Sequence, residues 1–269
     1  MKINARKKSE VTNLPELHFY DWLLSAFCVV WFAGTLLIFD VLQRISLIFG
    51  SNFHQRIVIL QNRMICFSSI FIGAKIRIKK NFDLDSTKPY IIISNHQSMT
   101  DIPILSIIFH THFPRFVAKR ELARWIPAVS INLRRGGNAV INRSNPEQAV
   151  TQIVELGKRM QEECFATVIF PEGMRARRGV LRKFRYAGAA NLILTVPNAE
   201  IIPVTIDGSW KLMAYGGFPL PSGIPIDVIV AQPLRIIDYE SPKELIDAAY
   251  MIISNNLTKL RKSNSNLVN

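Results

Sequence analysis

The chain has 269 residues, 49% of them apolar and 20% charged, with a formal net charge of +13. That length holds one large domain, or a domain with an appendage, and the apolar share is enough for a packed core. Three cysteines (Cys28, Cys66 and Cys164) show no metal-ligand spacing and leave an odd count, which argues against a disulfide framework and for a reducing, cytosolic setting.

Residues 1–15 read as a polar, disordered arm. Trp22 to Phe39 (WLLSAFCVVWFAGTLLIF) then runs for 18 residues without a charge and closes at Asp40. This is the lower bound for a helix that crosses a bilayer. It starts too far into the chain, and lacks the small-residue cleavage site, to be a signal peptide. A second apolar stretch, Met64 to Ala74, is too short to span alone. Basic residues flank the first segment on both sides (Lys2, Arg6, Lys7 and Lys8 before, Arg44 and Arg56 after), so charge does not set its orientation. Residues 16–74 are thus expected to form two helices joined near Gly50-Ser51-Asn52. A single span and a hairpin in one leaflet both fit, with two buried core helices as the alternative.

Beyond Lys79-Lys80 the pattern changes. Tyr90 to Ser94 (YIIIS) is a short apolar run rich in β-branched residues, as in a buried strand. A helix is expected from about Ile102, with Pro103 tolerated in its first turn. Ser144-Asn145-Pro146-Glu147 signals another helix start, with Glu147 three residues after Ser144. Val150, Ile153, Val154, Leu156 and Met160 then share one helical face. Cys164 to Phe170 reads as a second strand, Ile201 to Ile206, broken by Pro203, as a third, and Ile226 to Val230 as a fourth. A last helix is expected from Ser241-Pro242-Lys243-Glu244 to about Lys262. Strands alternating with helices predict an α/β domain over residues 75–269, preceded by an N-terminal unit over 1–74. No internal repeat and no Gly-rich phosphate loop is visible.

From Arg115 to Arg185 there are 15 Lys and Arg, six Glu and no Asp, so most of the excess charge sits in the middle of the chain. Such a surface suits anionic lipid head groups or acidic substrates. A nucleic-acid footprint and a solvated basic face are the competing readings.

The sharpest chemical feature is Asn95-His96-Gln97-Ser98-Met99-Thr100-Asp101, placed where a strand ends and a helix begins. Acyl transfer to an alcohol needs a base for the hydroxyl proton, and histidine serves near neutral pH when its other nitrogen is fixed. Asp101, at a helix start, is placed to turn back on His96 as the orienting carboxylate. Taken alone, the pair reads equally as a helix cap and a loop histidine. Phe170-Pro171-Glu172-Gly173-Met174-Arg175 ends another strand and leads into Arg177, Arg178, Arg182, Lys183 and Arg185. A carboxylate beside a guanidinium on a tight turn suits a glycerol hydroxyl and a phosphate together.

With these motifs in view, the chain resembles the glycerolipid acyltransferase family that includes bacterial 1-acylglycerol-3-phosphate acyltransferases. NHQSMTD (95–101), GNAVINR (137–143), FPEGMR (170–175) and IPVTI (202–206) occur in the family's order, and FVAKREL (116–122) is similar too. The resemblance implies a mixed sheet flanked by helices, with His96 as general base and Asp101 as its orienter. It implies that Arg143, Glu172 and Arg175 bind the glycerol-phosphate end, with Gly173 allowing close approach and Lys119 as a further contact. Pro203 would shape the donor side or the core. It implies direct transfer from acyl-CoA or acyl carrier protein to lysophosphatidate, with no metal, cofactor or nucleic acid, at the cytoplasmic face of a membrane (the inner one in a bacterium). Met174 stands where the family usually has Thr or Ser, and Asn142 where Asp is usual. These departures leave open another lysophospholipid or a lyso-amino-acid lipid as acceptor. A non-catalytic basic membrane-binding protein is the reading from another class.

Overall fold

The structure, a computed structural model, describes residues 14–265. The arm expected over 1–15 therefore lies almost wholly outside the described residues. Helix α1 (Phe19–Ser46) takes in the whole apolar run and, with the short 3-10 turn after it, ends at Gly50. Gly50 has φ 95°, a left-handed conformation that glycine adopts without steric cost. Helix α2 (Ser51–Phe67) starts there and runs back along α1, as the expected joint at 50–52 requires.

This hairpin is inverted with respect to water. Asp21, Ser25, Gln43, Ser46, His54 and Gln61 are buried, whereas Phe19, Trp22, Val30, Leu37, Ile38 and Ile48 are exposed. Most of the buried polar groups bond one another or the rest of the chain, as low-dielectric surroundings demand, although Gln43 Oε1 and His54 Nε2 have no partner among the described residues. Gln43 bonds Gln61 between the two helices. Asp40 Oδ1 accepts from Ala128 N at 2.8 Å, Ser25 Oγ from Leu220 N at 2.7 Å, and Asn62 Nδ2 donates to Ser106 Oγ at 2.9 Å. Among the described residues, Phe19–Phe49 is the one helical stretch long and apolar enough to cross a membrane.

The remainder is an eight-stranded mixed sheet with helices on both faces. The strands are β1 (Lys75–Lys79), β2 (Tyr90–Ser94), β3 (Arg115–Lys119), β4 (Ala139–Ile141), β5 (Ala166–Ile169), β6 (Glu200–Asp207), β7 (Pro225–Val230) and β8 (Leu234–Arg235). Their order is β1-β7-β6-β2-β5-β3-β4, with β8 beside β6. From β6 through β2, β5 and β3 to β4 every pairing is parallel; β7 and β8 run antiparallel to β6. The parallel strands are linked by α3 (Asp101–Ile108), α4 (Val129–Arg135), α5 (Pro146–Glu163) and α6 (Tyr186–Thr195). A short α7 (Ser209–Leu212) follows β6, and α8 (Pro242–Ser265) closes the chain.

Strand β2 explains the two-sided core. It is buried on both faces, as the central strand of a parallel sheet must be. Ile91 and Ile93 point to one side, against Leu156, Met160, Leu192 and Ile253 of α5, α6 and α8. Tyr90 and Ile92 point to the other, against Leu105 and Phe109 of α3 and its turn, with Val204 and Val228. The alternation is the period-2 geometry of a strand.

Two sequence expectations are corrected in detail. The cap of α5 is Asn145, whose side chain accepts from Gln148 N at 3.0 Å; Ser144 lies one residue outside. Pro203 does not break β6. It falls between the residues paired with β8 (200–201) and those paired with β7 (204–207), and its carbonyl accepts from Ala231 N at 3.0 Å. The missing N–H thus falls at a gap between two antiparallel neighbours, where no ladder bond is lost.

Candidate active site

All five parallel strands point their carboxyl ends at one edge of the sheet, where ligands of open α/β sheets collect. The end of β2 delivers His96, and the end of β5 delivers Phe170 to Arg175. Lys119 is the last residue of β3, Arg143 follows β4 by two residues, and β6 ends at Asp207 with Ser209 just beyond. Topology therefore gathers motifs that are far apart in the chain.

His96 is fixed from three directions. Its Nδ1–H donates to Asp101 Oδ2 at 2.9 Å. Its main-chain N–H donates to Glu172 Oε1 at 2.7 Å, and its carbonyl accepts from Ala176 N at 2.7 Å. The Phe170 ring stacks on the imidazole with centroids 4.1 Å apart and planes 19° from parallel. With Nδ1 committed to a carboxylate, Nε2 carries the lone pair, and His96 lines the cavity.

Asp101 has no exposed surface, and both its oxygens are occupied. Oδ2 also accepts from Gln97 N at 2.7 Å and Ser98 N at 2.8 Å, while Oδ1 accepts the Ser209 hydroxyl at 2.6 Å. Its bonds run back to residues 96–98 and across to Ser209, so it organises the histidine loop rather than capping its own helix. Asn95 stitches this loop to β6. Its amide donates to Ile206 O and its carbonyl accepts from Ile206 N, both at 2.8 Å.

Glu172 was expected to meet the glycerol-phosphate end, but it lies behind the cavity wall. It is 2% exposed, and its oxygens take the N–H groups of His96 and Arg182, the latter at 2.9 Å. Burial pushes its carboxyl up to about 7, against the pull of those two N–H groups and of Arg182. Gly173 has φ 73°, and an added Cβ there would sit 3.4 Å from the Arg185 side chain, so the turn is tailored to glycine.

A cavity of about 1820 Å³ opens over this edge. Its apolar wall comes from α1, α2 and α3, including Val29, Phe32, Leu36, Val58, Ile65 and Ile104. Its polar end holds His96, Lys119, Arg143, Gly173 and Arg175, so five of the seven residues singled out in the sequence line one chamber. The other two, Asp101 and Glu172, brace His96 from behind. Desolvation at this wall, with Arg185 alongside, presses the Arg143 guanidinium below its usual range. Met174 lines the same end. The braces Asn95, Gln97, Ser209 and Asp207, whose Oδ1 accepts from Gln97 Nε2 at 3.1 Å and from Arg261 Nη2 at 2.8 Å, had no sequence signal of their own beyond standing in or after a motif.

One chamber thus joins an apolar wall to a histidine and a cluster of guanidiniums at its polar end. Residues 75–207, 133 of the 269, match the family described as Acyltransferase. It is 33% identical over 134 residues to human 1-acyl-sn-glycerol-3-phosphate acyltransferase beta, covering 50% of this chain and 47% of that protein. It is 28% identical over 169 residues to the 1-acyl-sn-glycerol-3-phosphate acyltransferase of Cocos nucifera, covering 60% and 52% respectively. The chain thus spans about half the length of the curated relatives it matches. The crystal structure of the 1-acyl-sn-glycerophosphate acyltransferase PlsC from Thermotoga maritima shares its fold. The TM-score is 0.72 at 18% identity, over 90% of this chain and 96% of that one.

Proposed function

We propose that this protein moves a fatty acyl group from acyl-CoA or acyl carrier protein to the free hydroxyl of lysophosphatidate, giving phosphatidate. The observation that carries the reading is the His96–Asp101 pair at 2.9 Å, set at the polar end of an apolar chamber. The names of the relatives supply the acceptor class.

In this reading His96 Nε2 takes the proton of the acceptor hydroxyl as its oxygen attacks the thioester carbon. Asp101 holds the imidazole in the required tautomer and balances the imidazolium that forms. The carbon–sulfur bond then breaks, and the proton passes from His96 to the departing thiolate. Arg143, Arg175 and Lys119 hold the acceptor's phosphate, with Gly173 letting it approach the main chain. Glu172 positions His96 through its main chain and does not touch substrate. Base and orienter are both side chains, so the chemistry calls for no metal or cofactor.

The inverted hairpin of α1 and α2 supports attachment to a bilayer, and the cytoplasmic side is proposed from the reducing setting that three unpaired cysteines suit. Its outward apolar side chains remove area from water at about 25 cal/mol per Å², and most of its polar groups are turned inward onto protein partners. The chamber's wall is made by the same helices, so a lysolipid tail can pass from the leaflet into the site.

The test is acyl transfer to lysophosphatidate in detergent or vesicles, comparing the protein with His96→Ala. Phosphatidate from the wild type and a loss of about 10³-fold or more in the variant support the reading. Equal rates would sink the role of His96, and no product with either donor would exclude this acceptor. A panel of lyso-lipids with larger or amino-acid head groups follows in that event, since Met174 removes a hydroxyl that the family usually places there.

A further inference from the structure

The polar end of the cavity carries more positive charge than one acceptor needs. Arg143, Arg175, Arg177, Arg178, Arg182 and Arg185 all line it. A phosphomonoester brings at most about two negative charges near neutral pH. Arg143 and Arg175 suffice for it, and Arg185 lies over Gly173 on the same side. Among the described residues, the side chains of Arg177, Arg178 and Arg182 have no carboxylate partner. Glu172, the one acid between residues 171 and 185, is turned inward onto main-chain N–H groups; it feels the Arg182 charge from there but forms an ion pair with none of the three.

The segment bearing these three arginines is held at many points. Ala176 N bonds His96 O at 2.7 Å, and Gly179 N bonds Ala176 O at 2.8 Å. Gly179 O accepts from Arg261 Nη2 of α8 at 2.7 Å. Arg182 N bonds Glu172 at 2.9 Å, and Arg185 N bonds Pro171 O at 2.8 Å. Ala176 and Phe184 are buried. A merely solvated arginine run needs no such frame. Like charges fixed together in a site repel one another, and an anionic ligand relieves that cost.

We infer that Arg177, Arg178 and Arg182 form a second anion site, separate from the one for the acceptor's phosphate, whose ligand is the phosphorylated thiol carrier of the acyl donor. The inference rests on the acyltransferase reading above and adds to it where the donor is held. The phosphate of the phosphopantetheine arm is common to coenzyme A and to acyl carrier protein, and it is the group this site reads. Because the segment is bonded to the main chain of His96, a carrier held on it presents its thioester to the chamber that holds the base.

The test is direct binding to the full chain in detergent, with coenzyme A, holo and apo acyl carrier protein, and lysophosphatidate as separate probes. The combined variant Arg177→Ala/Arg178→Ala/Arg182→Ala is compared with wild type. These side chains are exposed, so an unchanged melting temperature confirms that the variant folds. Loss of about tenfold or more in affinity for coenzyme A or the holo carrier, with lysophosphatidate unchanged within about twofold, is the expected result. Which of the two carriers responds identifies the donor. Equal carrier affinity in both proteins overturns the inference, as does failure of wild type to bind either carrier, or a loss confined to lysophosphatidate. Equal binding of apo and holo carrier protein also overturns it, because phosphate would then not be what is read. If wild type binds a carrier through these arginines yet does not acylate lysophosphatidate, the acceptor assignment fails and this site stands.

Discussion

Asp101→Asn separates the charge of the buried carboxylate from its shape. Asp101 Oδ2 accepts three N–H groups, from His96, Gln97 and Ser98, whereas Oδ1 accepts a hydroxyl, which can turn round and become an acceptor. Asparagine therefore settles with its carbonyl towards the three N–H groups and its amide towards Ser209. The loop and the Nδ1–H tautomer survive, and what is lost is the charge facing the imidazolium. Two unit charges about 4 Å apart are worth about 4 kcal/mol at an effective dielectric of 20. The imidazole keeps some solvent contact, 15% of its side-chain surface, which lowers that figure. A fall in kcat of about 10²- to 10³-fold follows, with KM for the acceptor within about twofold of wild type. Initial rates at several acceptor concentrations in mixed micelles give both parameters. If Asp101→Asn keeps more than about a third of wild-type kcat, the charge is not what Asp101 supplies and the argument fails.

Ser209→Ala removes one of the four donors on Asp101 without touching the cavity. We expect kcat to fall about tenfold with KM unchanged, and Ser209→Cys, a weaker donor, to recover part of it; a rise in KM alone would contradict the positioning role. Glu172 has a native value of about 7 against an ordinary 4.5, so its stabilising contribution is complete below pH 4.5 and is lost as pH rises to about 7. Glu172→Gln, which removes the titration and keeps one of the two accepted N–H bonds, should lower the melting temperature and flatten its curve across that window, a difference in pH dependence of up to about 3 kcal/mol; parallel curves would contradict it. At Gly208, with φ 94°, an added Cβ would lie 2.2 Å from the Pro225 carbonyl oxygen. Gly208→Ala should therefore lower the melting temperature by about 5 °C or more, from backbone strain and a forced separation of β6 from β7.

What could be read from the sequence was what burial imposes. YIIIS read as a buried strand, and the spacing of Ile153, Leu156 and Met160 as one face of a helix, and both formed. The loop at 50–52 was visible because a glycine interrupts two apolar runs. Strands β1, β3, β4 and β8 were missed as strands because they are short, and β1 and β3 are also interrupted by Lys and Arg. The motif residues were found through resemblance, and the chemistry of His96 and Asp101 followed from their types. The inward turn of Glu172 was not legible. A carboxylate beside arginines suggests a ligand contact, whereas the fold presents it with two closer donors from the main chain. Ser209 and Asp207 were invisible because their partners come from the far side of the sheet edge, and no local pattern marks a tertiary hydrogen bond.

The hydrogen bonds that join the hairpin to the body of the protein make it a fixed wall of the chamber. Asp40, Ser25 and Asn62 each hold a group contributed by the body of the protein, and Gln55 holds the Gly136 carbonyl at 2.9 Å. Cutting the chain near residue 74 to obtain a water-soluble fragment would therefore unroof the chamber and strip four interior groups of their partners at one stroke. Exposed apolar surface and chamber wall come from the same two helices here, so on the membrane-attached reading proposed above, work in solution calls for a substitute for the bilayer, not a shorter chain.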